Sequence, residues 1–596
     1  MPPSKGGGIE DAPMQIITRR PDVGYLDCLL WVPKSKVNVE GIKMALTFTV
    51  VDRTSLSKFE LWKETAHHLL LPREFWDAAE MDFPVIDCRV KQFQHVQITS
   101  HIKLDHLPDV NDVLQPTGRT TQLEALQALL GARGGILQLA CGKGKTIIFL
   151  EYIARVQVPT LIVIDNTQLL EQWKKEIAKN LDVPGGVGLI QGPVFDWQKP
   201  IVLTTYQTLA QRADAFPEEA RRWFGLVGWD EGHHIAAPTF CRSADLFYGR
   251  RIALTATPDR EDGLQVVYHH HVGKVLYKDL KQELRPRIYF KWTGLALDKT
   301  DPVSRGLTED KNGELHVGKI AGFLGQWPQR LHLILDLVTE ALSEDRKVLV
   351  LSNSIDELVN LKALWDNQPL YTNIPFPNPS EIGETLVPIE SDSATLEKAN
   401  RNLWAYRGQT ADPNLPSAKR QELGRRIKEL EELFAQFEVW KKLDGIYRKR
   451  QRDYVKSLVE ETSTAGLMIH QVPTKVRAQL MKEKEVVFAV SKYGREGLDS
   501  PDLDTIIAVE PMSSRNSLQQ FMGRVLRKKV GKKSPVVVFL EDDIGPMIGM
   551  CQNLRRHLRE WPVEEGGPYD YDNIGHPTSF TKRGKQWTPS VKVFGR

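Results

Sequence analysis

Cysteine is scarce in this sequence. Five cysteines among 596 residues, at positions 28, 88, 141, 241 and 551, are odd in number and form no CxxC pair. That excludes a disulfide framework and a cysteine-built zinc site, and leads to the expectation of a reducing compartment. An excess of one charge sign is also missing: 79 Lys+Arg against 76 Asp+Glu leave a formal net charge of +3. A uniformly basic coat is thereby excluded, although a local basic cleft is not. No apolar run approaches the roughly 18 residues needed to span a bilayer, and the opening MPPSKGGGIEDAP has no apolar segment of the secretory kind. A soluble, cytoplasmic chain without a membrane partner is expected. What is present is an ordinary globular composition, 41% hydrophobic and 26% charged, in a chain long enough for about four domains.

The texture along the chain divides it. Residues 1–13, rich in Gly and Pro, read as a disordered leader. Residues 14–113 carry short alternating runs, Tyr25 to Val32, Met44 to Val51 and Val85 to Val96, which predict a β-rich accessory domain with one helical piece near Leu56 to His68. From 114 to 290, helical patterns alternate with continuous apolar runs such as Gly135 to Leu139, Thr160 to Ile164 and Ile201 to Thr204. That pattern predicts a parallel sheet covered on both faces. A second block of the same kind spans 291–552, with strands expected at Lys347 to Leu351, Val486 to Val490, Thr505 to Val509 and Pro535 to Leu540. It is interrupted at about 366–465 by a Pro- and Asn-rich stretch and a charged helical segment, Ser417 to Glu461, expected to break near Gly445. Residues 553–596 read as a loosely ordered tail. The fold class is therefore α/β, with two tandem parallel-sheet domains, a β-rich N-terminal domain and a helical insertion.

Two motifs carry chemistry. LACGKGKTIIF follows a strand and opens a helix. Backbone N–H groups of its Gly142–Gly144 turn and of the helix N-terminus can surround a β-phosphate, Lys145 can reach the β and γ oxygens, and Thr146 can bind Mg²⁺. The full P-loop pattern has Gly where this chain has Leu139. Downstream, WDEGHH places Asp230 and Glu231 at a strand exit, where an Asp can hold Mg²⁺ and a Glu can orient and deprotonate a water. Two adjacent acids alone would be an ordinary polar strand end; behind a P-loop and ahead of LTATPDREDG they point to nucleotide hydrolysis.

In order and spacing, RTTQLEAL, LACGKGKT, PTLIVIDNTQLLEQW, VLTTYQTL, DEGHH, LTATPDREDG, KVLVLSNSIDEL, SKYGREGLDSPDLD and QQFMGRVLR resemble the motifs of superfamily 2 helicases. Within them they resemble the branch that contains XPB and UvsW. The resemblance covers about 119–540 and implies two RecA-like motor domains, ATP and Mg²⁺ as cofactors, and an ATP-dependent helicase or translocase with nucleic acid as partner, single-stranded or branched DNA foremost and RNA as the alternative. It further implies that Gln122 reads the adenine edge and that Arg119, in the same motif, helps bind the cofactor, with Thr121 where an aromatic often stands. His233 would couple the nucleotide site to Gln520, Arg524 and Arg527 would meet the γ-phosphate, and Gly497 and Asp499 would hold the ribose. Thr255 and Thr257 would relay the nucleotide state. Thr167, Gln168, Thr204, Thr205, Tyr206, Ser352, Asn353 and Lys492 would line the nucleic-acid surface.

Other features have plainer readings. The run His269, His270, His271 lacks ligand-type neighbours and reads as a surface turn; His67, His68 and His234 read as structural, and Trp229 as core. The basic run Arg448, Lys449, Arg450, Arg452 and Lys456 in the insertion is either a solvated face or a guide for substrate. Motor motifs do not by themselves specify strand separation, so an ATP-gated clamp or remodeller stands beside the helicase reading. A restriction-type motor is a further alternative, and no nuclease motif accompanies these ones.

Overall fold

In the computed structural model the described residues run from 19 to 574, apart from 53–54, 91, 105, 109–113, 117–120, 258–262, 282–283, 298–300, 310–312, 413–414, 461, 496–499, 501, 513, 527–528 and 530. The chain divides into two compact units. The first comprises residues up to Arg285 with Ser514–Gly531 and Arg559–Pro568, and the second comprises Pro286–Ser513, Lys532–Leu558 and the segment from Tyr569.

The first unit is built on an eight-stranded sheet in the order Val194–Phe195, Val187–Gln191, Ile201–Thr205, Thr160–Ile164, Leu226–Asp230, Arg250–Thr255, Gly135–Leu139, Val275–Asp279. Its pairings are parallel except at the Val194–Phe195 edge. The runs GILQL, TLIVI and IVLTT are buried along their whole length, because helices cover both faces of the sheet. Phe149, Tyr152, Leu170 and Trp173 pack on one face, Tyr206, Phe224 and Phe247 on the other.

Ahead of this sheet lies a five-stranded sheet, in the order Lys63–Glu64, His68–Pro72, Leu29–Pro33, Gly24–Leu26, Val85–Asp87. Two buried arginines tie it to the eight-stranded sheet. Arg251 donates to the carbonyls of Cys28 (2.7 Å) and His271 (2.9 Å), and Arg73 donates to that of Gly249 (2.9 Å). The helix expected near Leu56 to His68 is not there. Ser55–Glu60 instead pairs antiparallel with Thr47–Asp52, Phe59 stacking on Phe48 at 5.4 Å, and the helix of this region is Val39–Ala45, capped by Asn38. Cross-strand aromatic packing of this kind outweighs a short helical pattern.

The second unit holds a seven-stranded sheet in the order Ala465–Met468, Val486–Val490, Val348–Ser352, Thr505–Ala508, Val536–Asp543, Arg287–Ala296, Asp572–Ile574, parallel throughout. Two expectations are corrected here. The long helical segment is one unbroken helix, Ser417–Glu460, paired with Ser393–Thr410; an exposed glycine costs a helix about 1 kcal/mol, too little to break one of 44 residues. The expected loose end instead supplies the sheet's last strand, Asp572–Ile574, with Ile574 in the core. Among the described residues no helix is long and apolar enough to cross a membrane.

Candidate nucleotide site

The carboxyl ends of parallel strands are where α/β sheets place their ligands, and the first unit's motifs converge there. After Gly135–Leu139 the chain turns through Gly142 (φ +86°) and Gly144 (φ +82°) into the helix Lys145–Val156. A side chain at Gly144 would be strained and would also strike the Gln122 amide, since a Cβ there would lie 2.6 Å from Nε2. The turn thus presents backbone N–H groups instead of side chains, the arrangement an anionic ligand requires. Thr146 is the second residue of this helix.

Two strands away, Asp230 ends Leu226–Asp230 and Glu231 follows with a left-handed backbone (φ +48°), uncommon outside glycine. Lys145 Nζ lies 3.6 Å from Glu231 Oε1. Asp230 Oδ2 accepts a hydrogen bond from Trp173 Nε1 at 2.8 Å, and Oδ1 accepts the Glu231 N–H at 3.1 Å. Burial, and then the neighbouring Glu231 charge, push the Asp230 carboxyl up to about 6, while Lys145 pulls it down. More negative charge is gathered here than one lysine cancels, and the donors are hard oxygens, so the residues present fit a divalent cation of the Mg²⁺ kind.

His233 is buried, its Nδ1 3.3 Å from the hydroxyls of both Thr255 and Thr257 and 3.6 Å from Glu231 Oε2. Thr255 Oγ1 also accepts the Thr257 N–H at 3.1 Å. One histidine therefore joins the acid pair to the end of the strand Arg250–Thr255. His234 stands beside it, 3.7 Å from Asp165 and with its ring 5.6 Å from that of Tyr206.

The helix Arg515–Val525, counted with this unit, carries Gln520 and Arg524. Its Gly523 faces the P-loop turn so closely that a Cβ would lie 2.6 Å from that of Cys141, and Gln519 donates to the Ala256 carbonyl at 3.1 Å. Arg119, Arg527, Gly497 and Asp499 lie outside the described residues.

The residues expected at the nucleic-acid surface fall into two groups. Thr167, Asn353 and Lys492 are exposed and Gln168 is half-buried. Thr204, Thr205, Tyr206 and Ser352 are buried, and their hydroxyls serve the fold: Thr204 donates to the Ile190 carbonyl (2.9 Å), Thr205 caps the helix Tyr206–Gln211, and Tyr206 donates to the Asp230 carbonyl (3.0 Å). The histidine run is not a surface turn but part of the helix Gln265–Val272, with His271 buried and 3.0 Å from Asp245. Trp229 is fully buried, and among the described residues no group of three ligand-type side chains is placed to hold a metal.

Sequence reasoning passed over Trp173 and Asp279. Trp173 lies inside a recognised motif; Asp279 ends a strand, Val275–Asp279, that follows the histidines and has no apolar alternation to announce it.

A glycine turn opening a helix, a carboxylate pair and a parallel sheet together define a candidate nucleotide-binding unit of the α/β class. Residues 115–260 match the family described as Type III restriction enzyme, res subunit. The chain is 37% identical over 175 residues to the DNA 3'-5' translocase XPB2 of Sulfurisphaera tokodaii, covering 29% of this chain and 38% of that one. It is 35% identical over 151 residues to the DNA 3'-5' helicase XPB of Kineococcus radiotolerans, covering 24% and 27%. Similarity to the general transcription and DNA repair factor IIH helicase/translocase subunit XPB of Encephalitozoon cuniculi is 30% over 222 residues, covering 34% and 32%. The chain thus spans between a quarter and two fifths of these relatives' lengths. Over these segments the chain is similar to that restriction-enzyme family and to proteins named as XPB helicases and translocases.

Proposed function

We propose that this protein is an ATP-dependent DNA translocase or helicase, hydrolysing ATP to move along or remodel DNA. The observation that carries the reading is the Lys145–Glu231 pairing at 3.6 Å beside a glycine turn at the sheet's carboxyl edge; the names of the XPB relatives favour DNA over RNA. In this reading Lys145 and the turn amides bind the β and γ phosphates. Asp230, held by Trp173, and Thr146 hold Mg²⁺, which when bound neutralises phosphate charge. Glu231 orients the attacking water and accepts its proton. Arg524 and Arg527 stabilise charge developing on the transferring phosphoryl oxygens, and Gly523 brings the helix Arg515–Val525, which carries Arg524, against the P-loop turn. His233, through Thr255 and Thr257, passes the state of the acid pair to the end of the strand Arg250–Thr255. Nucleic-acid contact falls to the exposed Thr167, Asn353 and Lys492, which meet phosphate and sugar and so give movement without sequence preference.

Lys145→Ala and Glu231→Gln should each abolish DNA-stimulated ATP hydrolysis, measured by phosphate release with and without single-stranded DNA. Undiminished turnover in both purified variants refutes the reading. A strand-displacement panel of forked DNA, four-way junction, DNA–RNA hybrid and duplex RNA decides the substrate, and stimulation by RNA alone would transfer the assignment to RNA.

A further inference from the structure

The carboxyl ends of the second unit's strands enclose a charged cluster that the nucleotide chemistry does not use. Arg330, on the helix Pro328–Ser343, is wholly buried. Its guanidinium forks onto Asp542 (Nε–Oδ1 3.1 Å, Nη2–Oδ2 3.0 Å), donates to the Val509 carbonyl at 2.7 Å and pairs with Glu357 of the helix Ile355–Trp365. Glu510 completes the group. Ser352 Oγ lies 2.7 Å from Glu357 Oε2 and 3.0 Å from Glu510 Oε1, and the other Glu510 oxygen accepts the Asn353 N–H at 2.7 Å.

The hydrogen-bond count is decisive. A hydroxyl has one proton to give, and Ser352 Oγ also accepts the Ser354 N–H at 2.9 Å. It can donate to only one of the two glutamates, the Ser354 carbonyl at 3.4 Å being a weaker third acceptor, so a proton on the other glutamate completes the contact. The charges agree, since one guanidinium faces three buried carboxyls and an uncompensated buried charge is costly. Burial, followed by the Glu357 charge, pushes Glu510 up to about 7, against the pull of the Asn353 N–H, Arg330 and Ser352. Burial likewise raises Glu357, opposed first by Arg330.

Asn353, whose backbone Glu510 holds, is exposed at the turn between the strand Val348–Ser352 and the next helix. We propose that protonated Glu510 is the positioning residue of the Ser352–Asn353 turn, holding it in the conformation that grips a nucleic-acid backbone, and that the grip loosens when the proton leaves. This rests on the nucleic-acid reading of Asn353. The charged and titratable groups facing Glu510 are Glu357 and Arg330 from the two helices and, across Arg330, Asp542 from the strand Val536–Asp543. As pH rises through Glu510's elevated value, a second negative charge appears beside Glu357 and the shared proton at Ser352 is gone.

The test is fluorescence anisotropy of the full chain with a labelled single-stranded DNA, from about pH 6 to about pH 8.5, with thermal melts to show that each variant is folded. Wild-type affinity should fall by roughly three- to tenfold across that range. Glu510→Gln, whose amide carbonyl accepts the Asn353 N–H and whose NH₂ donates to Ser352 at any pH, should keep the low-pH affinity with a flat profile. Glu510→Ala should bind weakly throughout. Equal slopes in wild type and Glu510→Gln overturn the proposal, as does wild-type binding by a folded Glu510→Ala. If Glu510→Ala does not fold, the Glu510→Gln profile alone decides. Absence of any wild-type binding or DNA-stimulated turnover at all pH values would instead strike the nucleic-acid reading, and this inference with it.

Discussion

Asp279 accepts a hydrogen bond from Thr121 Oγ1 at 3.2 Å and pairs with Lys143 Nζ, while its carbonyl accepts the Ala140 N–H at 2.9 Å. One residue thus joins the helix Thr121–Leu130, the glycine turn and the edge strand Val275–Asp279. Without its carboxylate, Lys143 would be a largely buried cation beside the phosphate cradle with that partner gone, and the Thr121 end of the helix carrying Gln122 would be released. Asp279→Ala is expected to raise KM for ATP by about tenfold while kcat changes less, since the group orients ground-state binding and touches no reacting atom. Steady-state ATP hydrolysis checks this; an equal loss in kcat with unchanged KM would contradict it. The contrast with Lys145, Asp230 and Glu231 is instructive. Those three were legible because a lysine after a glycine turn and paired acids at a strand exit have few other uses. A single aspartate ending an unrecognised strand carries no such pattern, and neither does Glu510, whose meaning depends on Arg330 and Glu357 arriving from far along the chain.

At the scale of elements, buried parallel strands were read almost to the residue, as at Val486–Val490, because continuous β-branched runs have no other home. Elements decided by long-range packing were not: the Thr47–Asp52 and Ser55–Glu60 hairpin owes its existence to cross-strand contacts, and the edge strand Asp572–Ile574 to a sheet completed far away in sequence. Gly445 illustrates the reverse error, a breaker residue overruled by its helix. It is exposed within Ser417–Glu460, and a Cβ there would meet nothing within 4 Å. Gly445→Ala should therefore stabilise the helix by about 1 kcal/mol, seen as a roughly fivefold slower amide exchange around that position. The insertion itself has a clear expectation. Three members of its basic run are engaged within it, Arg448 with Asp444 at 2.7 Å, Arg450 with Glu381 and Lys456 with Glu460 at 3.7 Å. Shortening both long helices should lower strand displacement more than single-strand-stimulated ATP turnover; equal loss of both would make the insertion structural only.

At the scale of the whole chain, the proposed function combined with a net charge of +3 predicts a hold on DNA that comes from few contacts. DNA binding should weaken with salt along a shallow logarithmic slope, about three to five phosphates' worth, in contrast to the steep slope of a broadly basic protein. A titration at several salt concentrations measures it. The N-terminal sheet has its own consequence at this scale: because Arg73 and Arg251 clamp it to carbonyls of the first unit, it travels with the strand that ends in Thr255.

The long helix of the second unit is rooted by Val455 and Leu458 in that unit's core, near its C-terminal end. At 1.5 Å per residue its 44 residues extend about 66 Å. Such a rod is an angular amplifier: a tilt of about 5° at the root sweeps the distal end through about 6 Å, close to the rise of two nucleotides in a stacked strand. Small rearrangements among the strands that hold its base would reach its tip as displacements on the scale of a step along DNA.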